Sequence, residues 1–122
     1  MKKIFYNKVI RDRIPDVIKE WGGVFEIKKL KGIEFEKELI KKVGEEASGL
    51  LAAKDRKELI SELADVVDVI EEIKKLKKIS TSELKKAQKA GFAKKGGFKK
   101  KLFLVWSSDT GYKSNERRYK KS

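Results

Sequence analysis

Apolar residues recur at helical spacing along two adjoining stretches of the chain. Phe35, Leu39, Val43, Ala47 and Leu50 are three or four positions apart, which predicts a helix over about 33–53 with these residues on its inner face. Leu59, Ile60, Leu63, Val66, Val67, Ile70 and Ile73 give a second helix, about 56–77, an unusually broad apolar face. Asp55 with Glu58 three positions later resembles a capping box opening that second helix. The connection is so short that the two helices must be antiparallel neighbours.

Weaker patterns flank this pair. The opening segment YNKVIRDRIPDVIKEWGG starts extended and turns helical over about 12–20, with Asp12 as its expected cap, Pro15 in the first turn and Gly22-Gly23 as the stop. Val24 to Leu30 alternates and reads as a short strand. Ser80 and Glu83 repeat the capping-box pattern and start a shorter helix running to about Lys94. After Gly96-Gly97, the run Leu102 to Trp106 reads as a second strand that could pair with the first, and Trp21 and Trp106 read as packing residues. From Ser107 the chain loses periodicity and is rich in basic residues. The expected organisation is mainly α: an antiparallel bundle of about four helices with a small two-stranded β element, one domain over 1–106, and a flexible basic tail over 107–122.

Acidic residues interrupt both apolar faces. Glu46 shares a face with Leu39, Val43 and Leu50, and Glu62 falls on the stripe of Leu59, Val66, Val69 and Ile73, with Asp65 one turn further on. Isolated charges there would cost several kcal/mol unless paired or liganded, roughly as for any buried carboxylate. In the antiparallel pair Glu46 and Glu62 reach similar depth, so with Asp65 they form a cluster that could hold Mg2+ or Mn2+. Ion pairing with lysines of a neighbouring helix or subunit is the plain alternative. Glu45 lies nearer the polar flank, with Glu38 and Lys41.

Composition narrows the chemistry. The 122 residues include no cysteine and no histidine, which removes disulfides, thiolate nucleophiles, Cys/His zinc sites and a histidine general base. Charged residues make up 42% and the formal net charge is +13, a field that attracts polyanions such as nucleoside triphosphates, nucleic acid or anionic headgroups. No apolar run is long enough to span a membrane and no signal-peptide core opens the chain, so a cytoplasmic protein without a membrane partner is expected. A cation on the acids would bridge nucleotide phosphates and activate a water for attack on phosphorus. Lys8, Arg11 and Arg13 on one side, and Lys94, Lys95, Lys99 and Lys100 on the other, could take up the remaining phosphate charge.

These segments resemble a known family. EEASG followed by ELADVVDVI is similar to the EExxE…ExxD signature of the MazG-like all-α NTP pyrophosphohydrolases. YNKVIRDRIPDVIKEWGG resembles the (N)KLVRDKIPEII…G opening of one branch, labelled phosphoribosyl-ATP pyrophosphohydrolase-like or house-cleaning NTP pyrophosphatase. KKGGFKKKLFLVW resembles the glycine-phenylalanine segment and final strand of the same branch, so the likeness runs from about Ile4 to Trp106. The resemblance implies an oligomeric, Mg2+-dependent helical enzyme that cleaves the α–β phosphoanhydride of a nucleotide to a monophosphate and pyrophosphate. Carried over by position, Glu46, Glu62 and Asp65 would ligate the metal, with Glu45 assisting or orienting the water; of the basic residues named above, Lys8, Arg11, Arg13 and Lys95 are the expected substrate contacts.

One position departs from that pattern: Gly49 stands where the family has a third acid. It either opens room in the pocket or marks an impaired site, and Asp68, one turn beyond Asp65, is a possible substitute. Two other readings therefore stand beside the enzyme. One is a nucleic-acid-binding module using Lys94 to Lys101 and the basic tail; the other is a helical nucleotide-binding or interaction protein with reduced catalysis. The apolar face over 56–77 exceeds what one antiparallel partner can cover, which predicts a homodimer, with a tetramer as an extension.

Overall fold

The computed structural model describes residues 2–110. Four helices carry the described chain: α1 (Ile14–Glu20), α2 (Gly32–Ala52), α3 (Arg56–Lys77) and α4 (Thr81–Lys95). The chain divides into two compact units, one running to Leu84 and the other starting at Lys85. The protein is mainly α, and within the first unit α2 packs along α3.

Local chemistry sets the helix boundaries. Asp55 is the N-cap of α3, its Oδ1 accepting from the Glu58 N–H at 2.8 Å, while Glu58 Oε2 accepts from the Lys54 N–H at 3.1 Å. Ser80 and Glu83 do the same ahead of α4, with Ser80 Oγ accepting from the Glu83 N–H at 3.0 Å and Glu83 Oε2 accepting from the Ser80 N–H at 3.2 Å. Both boxes satisfy amide groups that a helix start leaves without intrahelical partners. The start of α1 differs from the expectation: Arg13, not Asp12, is its N-cap, and no side chain caps it. Pro15 in the first turn lessens the need for a cap, because it has no N–H to satisfy.

Two helices end in the same way. After α1, Gly22 takes a left-handed φ of 75°, its N–H donates to Lys19 O and the Gly23 N–H donates to Ile18 O, both at 2.9 Å. At the end of α3, Lys78 takes φ 55°, its N–H donates to Lys75 O at 3.3 Å and the Ile79 N–H donates to Lys74 O at 2.8 Å. This is the left-handed stop usually filled by glycine. Here a lysine fills it, and the following turn is secured by Lys74, whose buried Nζ donates to Glu71 Oε1 at 3.2 Å and Thr81 Oγ1 at 3.1 Å.

The core lies in the α2–α3 seam. Leu39 (5% exposed) and Val69 (8%) are its buried apolar residues, flanked by the half-buried Phe35, Val43, Ala47, Leu50, Val66, Ile70 and Ile73. An ion pair of 2.7 Å between Lys77 and Glu36 joins the end of α3 to the start of α2, as antiparallel packing requires. The other apolar row of α3 is left largely uncovered by the described residues: Leu59, Ile60, Leu63 and Val67 are 41–54% exposed.

The expected β element is absent. No strand occurs among the described residues, and both segments assigned to it run without regular structure. Val24 and Ile27 are exposed, as is every residue from Leu102 to Trp106. Alternation marks which face of a segment could be covered, but a two-stranded ribbon without a packed face is marginal in water. Trp21 and Trp106, expected to pack, are 87% and 80% exposed for the same want of a covering surface. Residues 111–122, most of the expected basic tail, lie outside the described residues.

Holding a β-carbon residue at Lys78 in the left-handed region costs roughly 1 kcal/mol. Lys78→Gly is therefore expected to stabilise the protein by up to about 1 kcal/mol, seen as a higher midpoint in urea with an unchanged slope.

Candidate metal centre

The α2–α3 seam gathers three carboxylates from residues far apart in sequence. Glu46 projects from α2, and Glu62 and Asp65 project from successive turns of α3. One oxygen of each lies within 4.8 Å of the others, and all three residues are half-buried. Donor pairs around a six-coordinate Mg2+ are about 3–4 Å apart, given metal–oxygen distances near 2.1 Å. Small side-chain rotations would therefore bring the three oxygens to ligating distance. The donors are all hard oxygens, a set that suits Mg2+ or Mn2+.

Cations stand on either side of this cluster. Arg11 Nη2 lies 2.9 Å from Asp65 Oδ1 and 2.9 Å from Asp68 Oδ2, tying the segment ahead of α1 to α3. The hydrogen bond donated to Asp68, and the charges of Asp68, Asp65 and Glu46, raise the guanidinium pKa further above its already high value. Arg11 is thus a permanent positive charge at the edge of the acids. Lys42, its side chain 12% exposed, reaches Glu46 Oε1 at 3.2 Å and Glu45 Oε2 at 3.5 Å. Glu62 forms no ion pair among the described residues.

Space for the Glu62 carboxylate comes from Gly49. A β-carbon built on Gly49 would stand 3.0 Å from Glu62 Cδ and closer still to Oε2. Gly44, the other interior glycine of α2, faces open space.

The remaining candidates are placed as follows. Glu45 is paired with Lys42 and lies outside the three-acid group. Lys8 stands 5.6 Å over the Tyr6 ring, and Arg13 occupies the N-cap of α1. Lys95 is the last residue of α4 and belongs to the second unit. Lys42 was not singled out by its sequence, although its spacing of three and four from Glu45 and Glu46 on one helix was the available signal. The bridge from Arg11 to α3 spans more than fifty positions and has no local signature.

No family model, curated protein or solved structure matches this chain.

Like charges one turn apart on a helix cost about 0.2–0.5 kcal/mol, and Glu62 faces both Asp65 and Glu46. Glu62→Gln keeps the shape and removes one charge. The variant is expected to unfold a few tenths of a kcal/mol later than wild type without metal, by about that same repulsion. Millimolar Mg2+ is expected to raise the thermal midpoint of the wild type, and Glu62→Gln to lose most of that rise.

Proposed function

We propose that the protein is a Mg2+-dependent nucleotide pyrophosphohydrolase of the MazG-like type, hydrolysing the α–β phosphoanhydride of nucleoside triphosphates to a monophosphate and pyrophosphate. The observation that carries this reading is the meeting of Glu46, Glu62 and Asp65 at one point of the α2–α3 seam. These are the positions at which EEASG and ELADVVDVI resemble the family's signature. An oxygen-only donor set with no histidine or cysteine fits Mg2+, with Mn2+ as a substitute. Such a cation, held by Glu46, Glu62 and Asp65, would supply Lewis-acid activation of water for attack on phosphorus.

The chain's own residues supply the rest. Glu46, Glu62 and Asp65 hold the cation, and the half-buried seam limits access of bulk water to it. Glu45 orients the attacking water, and Lys42 fixes the rotamers of Glu45 and Glu46 by bonding to both. Arg11, anchored on Asp65 and Asp68, offers guanidinium N–H groups beside the acids, a geometry suited to phosphate oxygens. Lys8 and Arg13, on the same unit as the acids, add positive charge for the triphosphate. Purified protein with Mg2+ and a panel of canonical, deoxy and damaged nucleoside triphosphates is expected to release pyrophosphate from at least one. Glu46→Gln is expected to lower that turnover at least 100-fold with the fold intact by circular dichroism. Absence of pyrophosphate from every nucleotide at all metal concentrations would refute the reading.

The working unit in this reading is a homodimer. Two buried apolar residues make a thin core for the first unit, while Leu59, Ile60, Leu63 and Val67 present a contiguous apolar row on α3. Monomeric proteins rarely leave such a row in water, and a second copy of the helix pair covers it by completing a four-helix arrangement. Sedimentation equilibrium at micromolar concentration is expected to return twice the chain mass, and Leu63→Glu to return one chain mass.

A further inference from the structure

Resting on the metal-site reading above, we infer that Gly49 is a positioning residue: its missing β-carbon lets the Glu62 carboxylate settle against α2 beside Glu46. Two observations separate this from a simply lost ligand. Gly49 has no positive φ, so the backbone does not call for glycine there. Of the two interior glycines of α2, Gly49 alone has its missing side-chain volume filled, and what fills it is the carboxylate of Glu62.

The physical argument is one of space. Gly49 and Glu46 are three positions apart on α2 and share a face toward α3. Among the described residues no cation is paired with the Glu62 carboxylate at the seam. Its position is permitted by the flat backbone surface at Gly49. Any β-carbon at residue 49 moves that carboxylate away, and with it one of the three donors. The displaced group is the end of a flexible side chain, so the helix pair accommodates the change and only the cluster geometry is altered.

The test compares Gly49→Ala with Gly44→Ala. Both replace a helical glycine by a better helix former, so both are expected to melt at or above the wild-type temperature in EDTA. Mn2+ binding, followed by the loss of free Mn2+ signal in electron paramagnetic resonance, is expected to weaken at least tenfold in Gly49→Ala and to stay within twofold of wild type in Gly44→Ala. In the metal-free state, the side-chain carboxyl 13C resonance of Glu62 is expected to shift in Gly49→Ala and not in Gly44→Ala. Gly49→Glu, which displaces Glu62 while adding its own carboxylate, is expected to bind Mn2+ no more tightly than wild type. Gly49→Ala binding within twofold of wild type would overturn the inference and leave the metal site standing, as would a tenfold gain in Gly49→Glu, which would identify a lost ligand. Wild type binding no Mn2+ would overturn the metal site and this inference together.

Discussion

Packing of α2 against α3 is the constraint on which the rest of the structure depends. These helices meet through a seam that is apolar at one end, around Leu39 and Val69, and acidic at the other, around Glu46, Glu62 and Asp65. The apolar end drives the contact by removing hydrocarbon from water. The acidic end opposes it, because like charges are brought together in a region of reduced solvation. A seam composed in this way is stable only when something offsets the repulsion. Arg11 and Lys42 do part of this, engaging Asp65, Asp68, Glu45 and Glu46. Glu62 is left over.

That residual charge is the physical basis for reading the cluster as a binding centre rather than a set of ion pairs. An ordinary surface network contributes little and tends to balance locally. Among the described residues, five carboxylates (Glu45, Glu46, Glu62, Asp65, Asp68) meet two cations (Arg11, Lys42), in a chain whose formal net charge is +13. With lysine so abundant, a region that keeps an excess of negative charge departs from the character of the whole molecule. A divalent cation would remove most of the imbalance. Gly49 fits the same account, since a glycine inside a helix costs about 1 kcal/mol relative to alanine and here makes room for one of the acids.

The same seam explains the thinness of the core. Because one end of it is given to carboxylates, the helix pair buries less hydrocarbon than two helices of this length could. The apolar residues of α3 that point away from α2 remain in water. Hydrocarbon burial and carboxylate clustering thus compete for the same surface, and the proposed homodimer would cover the outer row of α3 without touching the acids.

Helical spacing and capping chemistry were sufficient to place α2, α3 and α4, and the start of α3 follows from Asp55 and Glu58 alone, because caps and periodicity are local properties of the chain. The common face of Glu46 with Leu39 and Val43, and of Glu62 with Val69, was legible on the same grounds. The short connection at 53–55 then set the two faces against each other. What local pattern could not decide was cover. The alternating segments 24–30 and 102–106 have the composition of strands, yet they form none among the described residues, because a strand needs a partner for its backbone and a surface for one of its faces. Nor could spacing show that Arg11 reaches Asp65 and Asp68, or that the volume missing at Gly49 is filled by Glu62. Those contacts join residues distant in sequence, one through the segment ahead of α1 and the other through the antiparallel packing of α2 and α3, and they exist only once the tertiary structure has formed.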